Sequence, residues 1–145
     1  MFETEQVNKK LHLYQATVIL SVLFAFIGFS YNVWRMEASE HNNNVRTACF
    51  EMLVELSTLE QLVYIAHYDG DLKEGSPRKG WVKIRLLNDL SVLTSTSVEQ
   101  QADKLKTVWS KQWETMADNQ TSVENIVNAI DDVRAEIKTV LRSLD

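Results

Sequence analysis

The sequence has one cysteine, one proline and four glycines in 145 residues. A single cysteine excludes an intrachain disulfide, a CxxC redox pair and a haem-attachment motif. Three of the four glycines and the proline fall together: Gly70, Gly75, Pro77 and Gly80 lie within "DGDLKEGSPRKGW", residues 69–81. Strand-like alternation and an Asn-Gly hairpin signal are both missing. So are a glycine-rich phosphate loop, an HExxH pair and a Ser/His/Asp arrangement. No Glu is followed three residues later by His, which a di-metal site in a helical bundle requires. His41 and His67 would lie about 39 Å apart on one helix, too far to share a metal. These absences point away from an enzyme, and no cofactor or metal is expected.

Basic charge is also scarce. The formal net charge is −5, and residues 36–145 alone carry 12 Lys/Arg against 18 Asp/Glu, a net of −6. Such a surface is not suited to coat nucleic acid or anionic lipid.

One stretch has no charge at all. Leu11 to Trp34 gives 24 uncharged residues and contains "ATVILSVLFAFIGF". A helix of about 20 such residues crosses a hydrocarbon core of about 30 Å. Tyr14 lies near one end, and Tyr31 and Trp34 near the other, where interfacial aromatics belong. The competing reading is a cleaved signal sequence with Lys9 and Lys10 before it and Gly28 to Ser30 as the cleavage site. The apolar run exceeds a usual signal core, and aromatics continue past Ser30, so a retained anchor is expected. Lys9 and Lys10 precede the span, while Arg35, Glu37 and Glu40 follow it. The expected order is a short cytoplasmic tail (1–10), a transmembrane helix (11–34) and an extracytoplasmic domain (35–145) at a cell inner membrane. Within the span, Thr17, Ser21, Ala25 and Gly28 step by 4, 4 and 3, a small-residue row that would let another helix approach closely.

Beyond Arg35 the period becomes helical. Val45, Cys49, Met52, Leu56, Leu59, Val63 and Ala66 step by alternating fours and threes, a seam that faces other helices. Cys49 on this seam reads as a buried small hydrophobe, with a disulfide between two chains as the sharper alternative. Val82, Leu86, Leu87, Leu90 and Leu93 share a face and are expected to be the core side of a second helix. "TSVE" occurs at Thr96–Glu99 and Thr121–Glu124, each fitting a capping box with Thr at the N-cap. Val98, Ala102, Leu105, Trp109, Trp113 and Met116 form the next face. Val123, Ile126, Val127, Ile130, Val133, Ile137, Val140, Leu141 and Leu144 form a wider last stripe.

The expected fold is all-α: an N-terminal transmembrane helix followed by a small antiparallel up-down four-helix bundle, with helices about 36–68, 80–94, 97–117 and 122–143. The alternative joins residues 80–118 into one helix, giving three long helices.

The 69–81 stretch invites a calcium reading, with Asp69 and Asp71 at positions 1 and 3 of an EF-hand loop. Lys73, Glu74 and Gly80 then stand where an oxygen ligand, the glycine and the bidentate glutamate belong, so the coordination set fails. Its basic half, with Lys73, Arg78, Lys79, Trp81, Lys83 and Arg85, is the one local excess of positive charge and the candidate contact for an anion or acidic partner. The bland reading is a solvated turn with Trp81 opening the next core face.

The anchor-plus-bundle plan resembles the periplasmic four-helix bundles of bacterial chemoreceptors, which implies a sensor-like ligand-binding module. It is also similar to an inner-membrane coiled-coil component of a phage lysis system, which implies a structural envelope linker. The leading expectation is a non-enzymatic interaction module or accessory subunit of a membrane complex. Its partners would be the bilayer and another membrane or periplasmic protein, or itself as a homodimer.

Overall fold

The computed structural model describes residues 2–144; the side chains of residues 2–6, 8 and 9 are outside it, so the charge expected at Lys9 is too. Among the described residues there are four helices and no strand: α1 (Phe2–Tyr68), α2 (Pro77–Ser91), α3 (Thr96–Gln112) and α4 (Gln120–Ser143). Two compact units divide the chain, one reaching to His41 and one beginning at Asn42.

In the first unit, α1 is long and apolar enough to cross a membrane. Its most apolar window has a mean hydropathy of 1.9, and none of it is buried within the protein. Tyr31 and Trp34 stack obliquely with ring centres 6.3 Å apart.

The second unit is a helical bundle with one apolar core drawn from all four helices. The α1 seam is buried throughout, from Val45 through Cys49, Met52, Leu56, Leu59 and Val63 to Ala66. α3 contributes Val98, Ala102, Leu105 and Trp109; α4 contributes Val123, Ile126, Ile130, Val133 and Ile137. Val127, Val140, Leu141 and Leu144 pack partly buried around it, and so does Trp113.

Polar contacts between α1 and α4 run in reverse order. Arg46 Nη2 donates to the Leu144 carbonyl (3.5 Å), Arg134 Nη2 donates to Glu60 Oε2 (2.7 Å), and His67 reaches Gln120 Oε1 (3.0 Å). The His67 Nδ1–H donates to the Met116 carbonyl (2.9 Å), which ties the end of α1 to the α3–α4 connection.

Three expectations are corrected. The row Val82, Leu86, Leu87, Leu90 and Leu93 is not the core face of α2. Only Leu87 of it is buried; the core side is Gly80, Ile84, Leu87 and Ser91. The reason is Trp109, whose ring occupies the space beside Gly80: a Cβ there would lie 2.2 Å from the indole. A small residue therefore has to face the core at that level, and this rotates the helix away from its larger apolar row.

The TSVE segments mark helix starts but their threonines are not the caps. Ser95 Oγ accepts from Val98 N (3.3 Å), and Asn119 Oδ1 accepts from Thr121 N (2.9 Å) and Ser122 N (3.3 Å). Serine and asparagine are better N-caps than β-branched threonine, and each lies just upstream.

The three-helix alternative also fails, because a turn over residues 92–94 separates α2 from α3. α2 begins at Pro77, whose missing N–H costs nothing in a first turn. α3 ends at Gln112, with turns from Trp113 to Asp118 instead of helix to 117.

Cys49 is fully buried, and burial pushes its thiol pKa up. An interchain disulfide would need that sulfur at the surface.

Two outcomes follow. Gly80→Ala forces the Trp109 ring aside and should cost about 1–3 kcal/mol, the usual range for overpacking. A thermal melt checks it against Gly28→Ala, where a Cβ meets nothing within 4 Å and no destabilisation of the bundle is expected. Cys49 should be inert to a thiol reagent in the folded protein and react only on denaturation.

Candidate interaction surfaces

α1 ends where Gly70 takes a left-handed conformation (φ 65°), the backbone that glycine tolerates best. The Asp71 N–H returns to the Ile65 carbonyl (3.3 Å), and the Gly75 N–H bonds the Asp71 carbonyl (2.8 Å). Asp71 Oδ1 accepts from Lys73 N (2.9 Å) and Glu74 N (3.0 Å). These bonds, Glu74's first, hold the Asp71 carboxyl below its usual range. Its oxygen thus organises the turn. Gly75 lies against α1 so closely that a Cβ would sit 2.5 Å from the Ala66 nitrogen. The segment is a packed turn.

The six residues of the candidate basic contact differ in their surroundings. Lys79 Nζ donates to Glu74 (2.9 Å), and Lys83 Nζ donates to Glu55 on α1 (2.8 Å). The Lys83–Glu55 pair is about three-quarters shielded and links α2 to α1. Trp81 is half-buried and meets Trp109 edge to face at 6.4 Å, as part of the core margin. Lys73, Arg78 and Arg85 are exposed, and their side chains make no bond among the described residues. Arg78 and Arg85 are seven residues apart on α2 and so share a side. The available positive surface is therefore this pair plus Lys73.

In the apolar stretch 11–34, the hydroxyls of the small-residue row turn back on their own helix. Thr17 Oγ1 donates to the Leu13 carbonyl and Ser21 Oγ to the Thr17 carbonyl, both at 2.8 Å. Such back-bonding satisfies a hydroxyl within its own helix. Ala25 and Gly28 are exposed, and nothing lies beside Gly28.

Two surface features escape the sequence reading. One is a groove of about 550 Å³ between α3 and α4, with Lys104 and Lys111 on one wall, Asn125, Asn128 and Asp132 on the other, and Val108 and Ala129 among its lining. No spacing rule flags it, because its walls come from two helices whose facing sides are set by tertiary packing. The other is an apolar groove between α1 and α2, lined by Phe50, Val54, Leu86 and Leu90 with Glu51 and Glu55. Its signal was present as the second apolar row of α2.

Glu60 and Asp131 both hold Arg134, and the bond to Glu60 raises the guanidinium pKa above its ordinary value. With Glu55–Lys83, this is a second α1 carboxylate used to fasten a neighbouring helix rather than left for chemistry. Among the described residues no group of three or more His, Cys, Asp or Glu could hold a metal.

Comparison with protein-family models, with curated proteins and with solved structures found no match.

The Asp71 turn gives a pH prediction. A depressed folded pKa stabilises above the ordinary carboxylate range and is lost as pH falls through the depressed value. The amide resonances of Lys73 and Glu74 should shift with a midpoint below that of ordinary aspartate. Asp71→Asn should keep both bonds and remove the pH dependence; Asp71→Ala should lose both.

Proposed function

We propose that the chain is a non-enzymatic, single-pass membrane protein that serves as an interaction module or accessory subunit of an envelope complex. Its N-terminus is cytoplasmic, residues 11–34 cross the inner membrane, and the following helices form an antiparallel up-down four-helix bundle in the periplasm. The observation that carries this reading is the change of role along α1. Residues 11–34 expose apolar side chains on every side, whereas the apolar residues of the 45–66 seam are buried in a core. Exposed apolar surface all round a helix suits lipid; a single buried stripe suits helix neighbours. The reversed order of contacts between α1 and α4 supports the up-down arrangement.

The partner is another envelope protein or a second copy. Thr17, Ser21, Ala25 and Gly28 supply a close-packing row within the bilayer, and Lys73, Arg78 and Arg85 supply exposed cations outside it. Lys79 and Lys83 enter only by giving up their carboxylate partners. A second reading, a sensor-like bundle, is favoured by the α3–α4 groove, whose lysines and amides, beside Asp103 and Asp132, suit a small polar ligand.

The test is crosslinking of the full-length protein in native membranes, followed by extraction, capture and mass spectrometry. The expected result is a stoichiometric membrane or periplasmic partner, or the chain itself, with the protein resistant to alkaline carbonate extraction. Charge reversal at Arg78, Lys79 and Lys83 should weaken capture of a partner held by the basic end. Release by carbonate would overturn the anchor, and recovery of no crosslinked species would overturn the interaction role.

A further inference from the structure

His67, near the end of α1, meets two acceptors at once. Its Nδ1 lies 2.9 Å from the Met116 carbonyl oxygen, and its Nε2 lies 3.0 Å from Gln120 Oε1. A carbonyl oxygen only accepts, so Nδ1 carries a hydrogen. A neutral imidazole then has no hydrogen left for Nε2, which becomes an acceptor itself. Whether Nε2 needs a hydrogen depends on which end of the Gln120 amide faces it.

Two neighbours fix that amide. Gln120 Nε2 donates to Glu124 Oε1 (3.1 Å), and a carboxylate only accepts, so the amide nitrogen belongs on that side. The Tyr68 hydroxyl donates to Gln120 Oε1 (3.4 Å). Partners of this kind decide how a glutamine amide is turned, and both leave its oxygen facing His67. The two ring nitrogens are therefore both donors, and the network is complete only with an imidazolium. A neutral ring would set the Nε2 lone pair against the Gln120 oxygen. Turning the amide over would relieve that clash and set the same oxygen against Glu124.

The charged and titratable neighbours come from several elements. On α1, the Tyr68 ring meets the imidazole edge to face at 4.7 Å, Tyr64 lies against Tyr68, and Asp69 follows the helix end. In the α3–α4 connection, Asp118 stands between Met116 and Gln120 in the chain. On α4, Glu124 acts through Gln120. On α2, Lys79 and Lys83 are bound to Glu74 and Glu55. No carboxylate forms an ion pair with the ring among the described residues. The proton is thus called for by the hydrogen-bond pattern, with Glu124 as counter-charge one amide away. His12 and His41 are exposed and make no bond among the described residues.

We propose that His67, Gln120 and Glu124 form a pH-sensitive latch between the end of α1 and the start of α4, closed when His67 is protonated. The protonated ring makes one more bond in the folded chain than the neutral ring does. The contribution of that bond is present below the ordinary imidazole range, about pH 6.5, and is lost as pH rises through it. Asp71 responds in the opposite sense and at lower pH, because its bonds are lost as pH falls. Mild acid therefore tightens the end of the bundle where α1, the α3–α4 connection and α4 meet. The latch needs neither a membrane nor a partner, so it stands or falls apart from the interaction role.

The test is NMR with hydrogen exchange on the full chain in mild detergent, from about pH 5.5 to 7.5, on either side of the imidazole range. The Gln120 side-chain amide resonances should move with the same midpoint as the His67 ring. Exchange of the backbone amides at the end of α1, corrected for the chemical rate, should quicken by about fivefold over that interval, the effect of losing one hydrogen bond. His67→Gln should abolish this step. Gln120→Met should abolish it with the imidazole still present, which separates the latch from the bare charge of His67. Glu124→Gln should shrink it, because either end of the Gln120 amide can then face the ring.

Gln120 resonances that ignore the ring overturn the latch, and this measurement on the unmutated chain decides even if a variant misfolds. A step that survives His67→Gln, or one unchanged by Gln120→Met or by Glu124→Gln, overturns it too.

Discussion

Trp109 against the bare backbone of Gly80 is the contact on which the arrangement of the outer helices depends. A large, fully buried indole can lie that close to α2 only where no Cβ intervenes. Trp81 then closes the edge of the ring. Once this contact is made, the rotation of α2 is set: Ile84 and Leu87 turn into the core, and Lys83 turns to Glu55. The indole N–H meets no acceptor among the described residues.

Around that contact, charge is used for attachment. Glu55 and Glu60 sit on opposite flanks of the α1 seam, and each accepts from a cation on a different helix, Lys83 on α2 and Arg134 on α4. Both pairs are mostly shielded from solvent, so they are less screened than ordinary surface pairs and help fix which neighbour lies on which side. The Asp71 turn and the Gly75–Ala66 approach fix the first connection in the same way, through backbone groups instead of side-chain packing.

The helical class and the two broad faces were legible because they obey one period over long distances. The α1 seam repeats without interruption for 22 residues, and the α4 stripe is wide enough that one or two misassigned positions do not matter. α2 was not legible, because apolar residues occur on both its sides and hydrophobicity alone prefers the larger ones. Its real core side includes Gly80 and Ser91, which no hydrophobic pattern selects; only the indole across from them does. The helix starts were located but the caps were not, since Ser95 and Asn119 stand just outside the repeated motif that drew attention. The basic cluster was visible as composition. Its division into paired Lys79 and Lys83 and unpaired Arg78 and Arg85 depends on where Glu74 and Glu55 come to lie, which sequence spacing cannot give.

The contacts between the first and last helices carry a consequence for how the protein is made. Glu60 meets Arg134 across 74 residues, and Arg46 meets Leu144 across 98. The α1 seam is synthesised before α2 and α3, yet α4, which packs against it, emerges only after them. Local helices form within microseconds, but a core that closes on α4 must wait until α4 has been made. During synthesis, at about 5–20 residues per second, Met52, Leu56 and Leu59 stay uncovered for several seconds. A nascent chain in that state exposes an apolar heptad face that the folded protein buries. A message cut short before residue 120 would leave the part of that face that α4 covers bare for good.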